Sequence, residues 1–150
     1  RNTGNDLMAY FSNRSQQRLE TCHSDLIKIF EDVIFVRDCT IIEGRRSKGI
    51  QDEYYRTGKS QLKYPDSKHN QFPSMAVDVM EYFPDKPHIH WNDRDAAEDF
   101  ARLVLATAET LLARGEVSHH LRWGGDWNMD GDTSDTSFWD APHYEIVVPD

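Results

Sequence analysis

Ala76-Val77-Asp78-Val79-Met80 alternates its side chains between the two faces of an extended chain, so Asp78 points with Ala76 and Met80 and away from Val77 and Val79. The run from Ala76 to Tyr82 reads as a strand. A carboxylate placed among apolar neighbours on a strand needs a partner. Upstream, residues 58 to 75 carry Gly58, Pro65 and Pro73 among Ser, Lys, Asn and Gln. This loop is longer than most connections, and long structured loops tend to carry function.

Farther upstream, Ser47 to Thr57 is expected to form a short helix, with Ile50 and Tyr54 one turn apart and Gly58 as its stop. Thr40-Ile41-Ile42, ended by Gly44, reads as a strand. Leu26, Ile29, Phe30 and Val33 recur at the spacing of one buried helical face, with Ser15 and Ser24 as caps. Residues 1 to 13 are polar and weakly patterned, the signature of a loosely held arm. Downstream, Asn92 is expected to cap a long helix reaching about Arg114. Its buried stripe is Ala97, Phe100, Ala101, Val104, Ala108, Leu111 and Leu112, and Gly115 ends it. His120 to Trp123 and His143 to Val148 read as strands on either side of an acidic loop. The alternation of strands and helices is too irregular for a doubly wound sheet. The expected class is α+β, an antiparallel sheet packed with helices.

A chain of 150 residues with 38% hydrophobic residues suits one domain spanning 1–150 around a single core. Its formal charge of −9 and lack of a basic patch argue against a nucleic-acid partner. No apolar run approaches the ~20 residues needed to cross a bilayer, and no signal-peptide pattern opens the chain. Synthesis in a host cytoplasm and release by a separate factor would follow if the substrate lies outside. Cys22 and Cys39 fall in core segments without disulfide or CxxC spacing, which marks them as buried free thiols.

His69 precedes Asp78 by nine residues, across a loop able to fold back and bring imidazole and carboxylate together. A zinc ion would satisfy both. Against this stands a plainer alternative, in which Asp78 pairs with an arginine and His69 is a loop histidine. A third ligand candidate is His143, with Asp140 three residues before it. Catalytic zinc takes three protein ligands and keeps one position for water, so two His and one Asp are a suitable set. Asp140 is then free to move a proton. The plainer alternatives make Asp140 a turn residue and Glu145 a solvent-facing strand position.

Asp126-Trp127-Asn128-Met129-Asp130-Gly131-Asp132 opens like a calcium loop, with oxygen ligands at alternate positions and glycine at the turn. Asp126, Asn128, Asp130 and Asp132 are the candidate calcium ligands. The twelfth position is Ser137 rather than a bidentate Glu, so a solvated acidic loop is the competing reading. His23, His88, His90, His119 and His120 receive no catalytic role.

Four stretches together, Ser67-Lys68-His69, Pro73-Ser74-Met75-Ala76-Val77-Asp78, Trp123-Gly124-Gly125-Asp126-Trp127 and Phe138-Trp139-Asp140-Ala141-Pro142-His143-Tyr144-Glu145, resemble the M15 zinc peptidases. The likeness is to the phage endolysins that are L-alanyl-D-glutamate peptidases, and it runs from about Phe11 to Val148. It implies the Hedgehog/D,D-peptidase fold, one zinc on His69, Asp78 and His143, and the general base at Asp140. Glu43-Gly44-Arg45-Arg46-Ser47 resembles the family's Gly-x-Arg-Ser stretch, which implies Arg46 as the cation facing the oxyanion, with Arg45 a surface charge. Ser67 and Gln51 fall at positions that help shape the substrate site. The His-to-Asp interval is longer than in many members, and an aspartate stands where carboxypeptidase members carry glutamate. The implied partner is bacterial peptidoglycan, met by a monomeric enzyme. Competing readings are a D,D- or L,D-carboxypeptidase, or a catalytically silent zinc-stabilised binding module. Against the silent module stands Asp140, since a structural zinc closes its fourth position.

Overall fold

A computed structural model describes residues 9–149. The N-terminal helices α1 (Asn13–Leu19) and α2 (Ser24–Val36) lead into strand β1 (Cys39–Glu43) and helix α3 (Lys48–Arg56). Strand β2 (Ala76–Glu81), the long helix α4 (Arg94–Ala113) and strands β3 (Leu121–Trp123) and β4 (His143–Ile146) complete the chain. The strands form one sheet in the order β1-β2-β4-β3, every neighbouring pair antiparallel. The class is α+β with an antiparallel sheet, as the patterning predicts.

One face of the sheet builds the core. Val77 and Val79 of β2 and Tyr144 and Ile146 of β4 pack with Leu26, Ile29, Phe30 and Val33 of α2 and with Phe100, Val104 and Leu111 of α4. Fully burying one such side chain contributes about 1.5–3 kcal/mol. Asp78, His143 and Glu145 alternate onto the opposite face, because successive strand residues point to opposite sides. Register makes this exact in position, since Asp78 of β2 stands directly across from His143 of β4.

Several local expectations are corrected. Of the arm, residues 1–8 lie outside the described residues, while Ala9 is buried and Phe11 packs against the core. Ser12, not Ser15, caps α1 by accepting from the Ser15 amide. Ser15 is instead buried, and its hydroxyl accepts from the Ile41 amide, tying α1 to β1. His23, not Ser24, caps α2 through Nδ1, and Asp93, not Asn92, caps α4. In α3 the buried residue is Gln51, whereas Ile50 is exposed. Phe100, Ala101, Val104, Ala108 and Leu111 of the expected α4 stripe are buried, with Ala97 and Leu112 partly buried against the core, and the thiols of Cys22 and Cys39 are free as expected. Burial pushes the Cys22 thiol up to about 12, which leaves it protonated and inert. Among the described residues no helix is long and apolar enough to cross a membrane.

Candidate active site

The segment before β2 contains a 3-10 turn, Lys68–Asn70, held by a capping box in which Ser67 Oγ accepts from the His69 amide and Asn70 Oδ1 accepts from the Ser67 amide. This turn carries His69 into the protein, where the ring is 1% exposed. His69 Nδ1 donates to the Gly44 carbonyl at 2.8 Å, which leaves Nε2 with its lone pair, 3.2 Å from Asp78 Oδ1. Gly44 has to be glycine, because a Cβ there would collide with the Arg18 carbonyl and the Thr21 hydroxyl.

His143 is oriented from the other side. Its Nε2 donates to Glu145 Oε1 at 2.8 Å, so Nδ1 faces inward, 3.4 Å from Asp78 Oδ1 and 4.0 Å from Asp140 Oδ2. Glu145 is held in turn by Lys68 Nζ at 3.0 Å, and Lys68 also donates to the Ile146 carbonyl. The plainer alternative of a solvent-facing Glu145 does not hold: the carboxylate is buried on the site face of β4, sharing that face with His143 two residues earlier. Burial alone would push Glu145 up, but its bond to His143 and the Lys68 ammonium outweigh this and hold it at about 2.

His69, Asp78 and His143 are the one group among the described residues whose donor atoms all lie within 4.8 Å of one another. His69 Nε2 and Asp78 Oδ1 are buried, and neither has a hydrogen-bond partner. Two buried acceptors facing each other without a proton between them are costly, and a cation shared with His143 Nδ1 satisfies both. Two imidazole nitrogens and a carboxylate oxygen thus form a candidate metal site. Desolvation opposes ionisation of Asp78, yet positive charge on His69 and His143 beside it holds its pKa well below the usual carboxylate range, the effect that a bound cation would also have.

Asp140 stands next to this group, its side chain one-third exposed. Burial raises its pKa, and the nearby Asp78 carboxylate raises it further against the opposing pull of His143, His69 and Arg46. The backbone around it is tightly placed: Asp140 N donates to the Gly124 carbonyl, and a Cβ at Gly124 would strike the Asp140 carbonyl. Trp123 Nε1 donates to the Ala141 carbonyl and Trp127 Nε1 to the Phe138 carbonyl, so two indoles clamp the loop. Trp127 also lies over His143, with ring centroids 5.3 Å apart.

Arg46 is buried at the end of β1, its Nε and Nη2 donating to Glu43 Oε1 and its Nη1 to Gln51 Oε1. Nη2 lies 3.8 Å from Asp78 Oδ2. Arg45 is exposed beside Phe72, as expected of a surface charge. Ser67, His69, Asp140, His143 and Arg46 line one open cleft. Gln51 does not. It is fully buried and supports Arg46, Asn70, Ser60 and Leu62 rather than facing a substrate.

In the acidic loop, the amides of Asp130, Asp132 and Ser134 each donate to the side chain two residues earlier, and the Gly131 amide donates to Asp126 Oδ2. The carboxylates of Asp126, Asp130 and Asp132 do not meet in a cluster like that of the histidine site. Asp126 Oδ1 is nevertheless buried without a partner. The remaining histidines are structural: His88 and His90 stack on Tyr82 and Phe83, His119 pairs with buried Asp25, and His120 pairs with Glu109.

Glu145 and Lys68 are the supporting residues that the patterning missed. The alternation of His143 and Glu145 along one strand was the available signal.

A family model described as phage L-alanyl-D-glutamate peptidase matches residues 8–147. The chain is 31% identical over 143 residues to the L-alanyl-D-glutamate peptidase of Escherichia phage T5, covering 91% of this chain and 97% of that relative. Among solved structures it resembles the L-Ala D-Glu endopeptidase ChiX of Serratia marcescens, with a TM-score of 0.69 and 25% identity over 97% of this chain and 96% of that one.

Proposed function

The chain belongs to the phage L-alanyl-D-glutamate peptidase family, and from that premise we propose that it is a zinc-dependent endopeptidase cutting the L-alanyl-D-glutamate bond in stem peptides of bacterial peptidoglycan. The observation that carries the metal-dependent reading is the unpartnered pair His69 Nε2 and Asp78 Oδ1, set with His143 Nδ1 beside an open cleft and a carboxylate left over from the donor set. An N, O, N donor set on a protein that needs hydrolytic chemistry suits zinc. Bound there, zinc would act as a Lewis acid toward the scissile carbonyl and lower the pKa of a bound water to about 7.

The chain's own residues supply the rest. Asp140 accepts the proton of the attacking water and passes it to the leaving amine, and its raised pKa suits both halves of that transfer. Arg46 has five N–H groups, of which Glu43 and Gln51 take one on each nitrogen; one remains on each terminal nitrogen for the developing oxyanion. Ser67 shapes the cleft wall and fixes the turn that presents His69.

Mass spectrometry of purified muropeptides after incubation tests this reading. The expected product pair has a new amino terminus on D-glutamate, and a chelator is expected to stop its formation. Release of a terminal D-alanine instead would move the chain to the carboxypeptidases, and cleavage indifferent to chelator would remove the metal.

The acidic loop is proposed to take a calcium ion, supported by buried, unpartnered Asp126 Oδ1 next to Asn128, Asp130 and Asp132. Bound calcium would order the segment leading to Asp140. Calorimetric titration of calcium into zinc-loaded protein is expected to release or absorb heat with a single-site isotherm; a flat trace would dispose of the site.

A further inference from the structure

Three basic side chains line the cleft: Arg46, Lys68 and Lys59. Two are already committed, Arg46 to Glu43 and Lys68 to Glu145 and the Ile146 carbonyl. Lys59 has no carboxylate partner among the described residues. Its ammonium stands 4.2 Å from the centroid of the Tyr54 ring, and the Arg46 guanidinium lies 4.6 Å from the same centroid. Glu43 answers the Arg46 side of this ring, bonding the guanidinium and accepting from the Tyr54 hydroxyl, whereas the Lys59 ammonium has only the ring face.

The backbone holds Lys59 in place. Gly58, at φ 81°, turns the chain back after α3, and on either side of Lys59 the amides of Gly58 and Ser60 donate to the Tyr55 and Tyr54 carbonyls. Buried Gln51 donates to Ser60 Oγ at 3.0 Å and to the Leu62 carbonyl at 2.6 Å while accepting from Arg46. One buried amide therefore couples the loop carrying Lys59 to the cation proposed for the oxyanion. Lys59, Arg46, Phe138 and Asp140 line both the groove that holds His69 and His143 and the neighbouring groove against Tyr54 and Asp78. Lys59 thus stands where a peptide crossing the site would pass.

We propose that Lys59 is a specificity-determining residue that binds the free carboxylate of the glutamate in the substrate. The inference rests on the L-alanyl-D-glutamate reading above. A glutamate joined into a chain through one carboxyl group keeps the other free, close to the scissile amide, as an anion matched to an unpaired ammonium. Amidation of that carboxyl removes the charge.

The test uses two purified muropeptides that differ only in whether this carboxyl is free or amidated, with cleavage sites read by mass spectrometry and steady-state constants for wild type and Lys59→Gln. Wild type is expected to favour the free acid by about five- to tenfold in kcat/KM, the range for a partly exposed charged hydrogen bond. Lys59→Gln is expected to bring that ratio close to one, with the loss in KM, and Lys59→Arg to restore it. Equal use of both peptides by wild type, or an undiminished ratio in Lys59→Gln, overturns the assignment while cleavage at the Ala–Glu bond still stands. Absence of cleavage at that bond in wild type overturns the function and the Lys59 assignment together.

Discussion

Asp140→Asn is expected to lower kcat by about 10²- to 10⁴-fold, the usual contribution of a positioned general acid–base, while metal content stays at one ion per chain. The substitution is isosteric, and the contacts that place residue 140 run through its backbone to Gly124, so the geometry of the loop survives. Metal analysis of the purified variant beside single-turnover cleavage of a muropeptide separates the two effects. A variant that retains turnover within a few-fold of wild type would strip Asp140 of its role, and a variant that loses the metal would make it a ligand. Because a protonated Asp140 cannot accept a proton, and burial disfavours its charged form, kcat/KM is expected to carry an acid limb set by this carboxylate. Activity should fall as pH drops through that limb and recover on raising it.

Glu145→Gln is expected to weaken metal binding by about 10- to 100-fold, the cost seen when a carboxylate behind a ligating histidine is removed. Glu145 determines which nitrogen of His143 carries the proton, and with it which nitrogen faces Asp78. It also clips β4 to the turn that carries His69, through Lys68. The glutamine can still accept a hydrogen bond, but it carries no charge to favour an electron-rich imidazole and none to hold Lys68. Competition against a chromophoric chelator measures the affinity, and circular dichroism checks that the fold persists. Unchanged affinity would reduce Glu145 to a packing residue.

These two residues differ in how far they could be read in advance. Asp140 was visible as a carboxylate close to a candidate histidine and left over from a sufficient ligand set. For Glu145 the sequence offers only a solvent-facing position, because an antiparallel strand commonly shows one face to water. Here that face is covered by the turn at Lys68–Asn70, which makes the second face of β4 a site rather than a surface. Gln51, which only the family resemblance singles out, is hidden from patterning for a related reason: α3 buries a polar side chain against other polar groups, so hydrophobic periodicity marks the wrong face. The caps missed at Ser12, His23 and Asp93 are one- to three-residue errors, since several adjacent side chains could have accepted the same amides.

By itself the sequence determined the amphipathic helix α4, the alternating strands around Asp78 and His143, the glycine stops and the α+β class, all of which rest on periodicities and dihedral preferences acting within a few residues. It also supplied the residue types of a candidate metal site, at separations of nine and sixty-five positions that no local rule connects. Tertiary structure alone decided that those residues meet, because their meeting depends on the register of β2 against β4 and on the close approach that Gly44 permits. It likewise decided which nitrogen of each imidazole points inward, since the Gly44 carbonyl and Glu145 fix the two tautomers from outside the site.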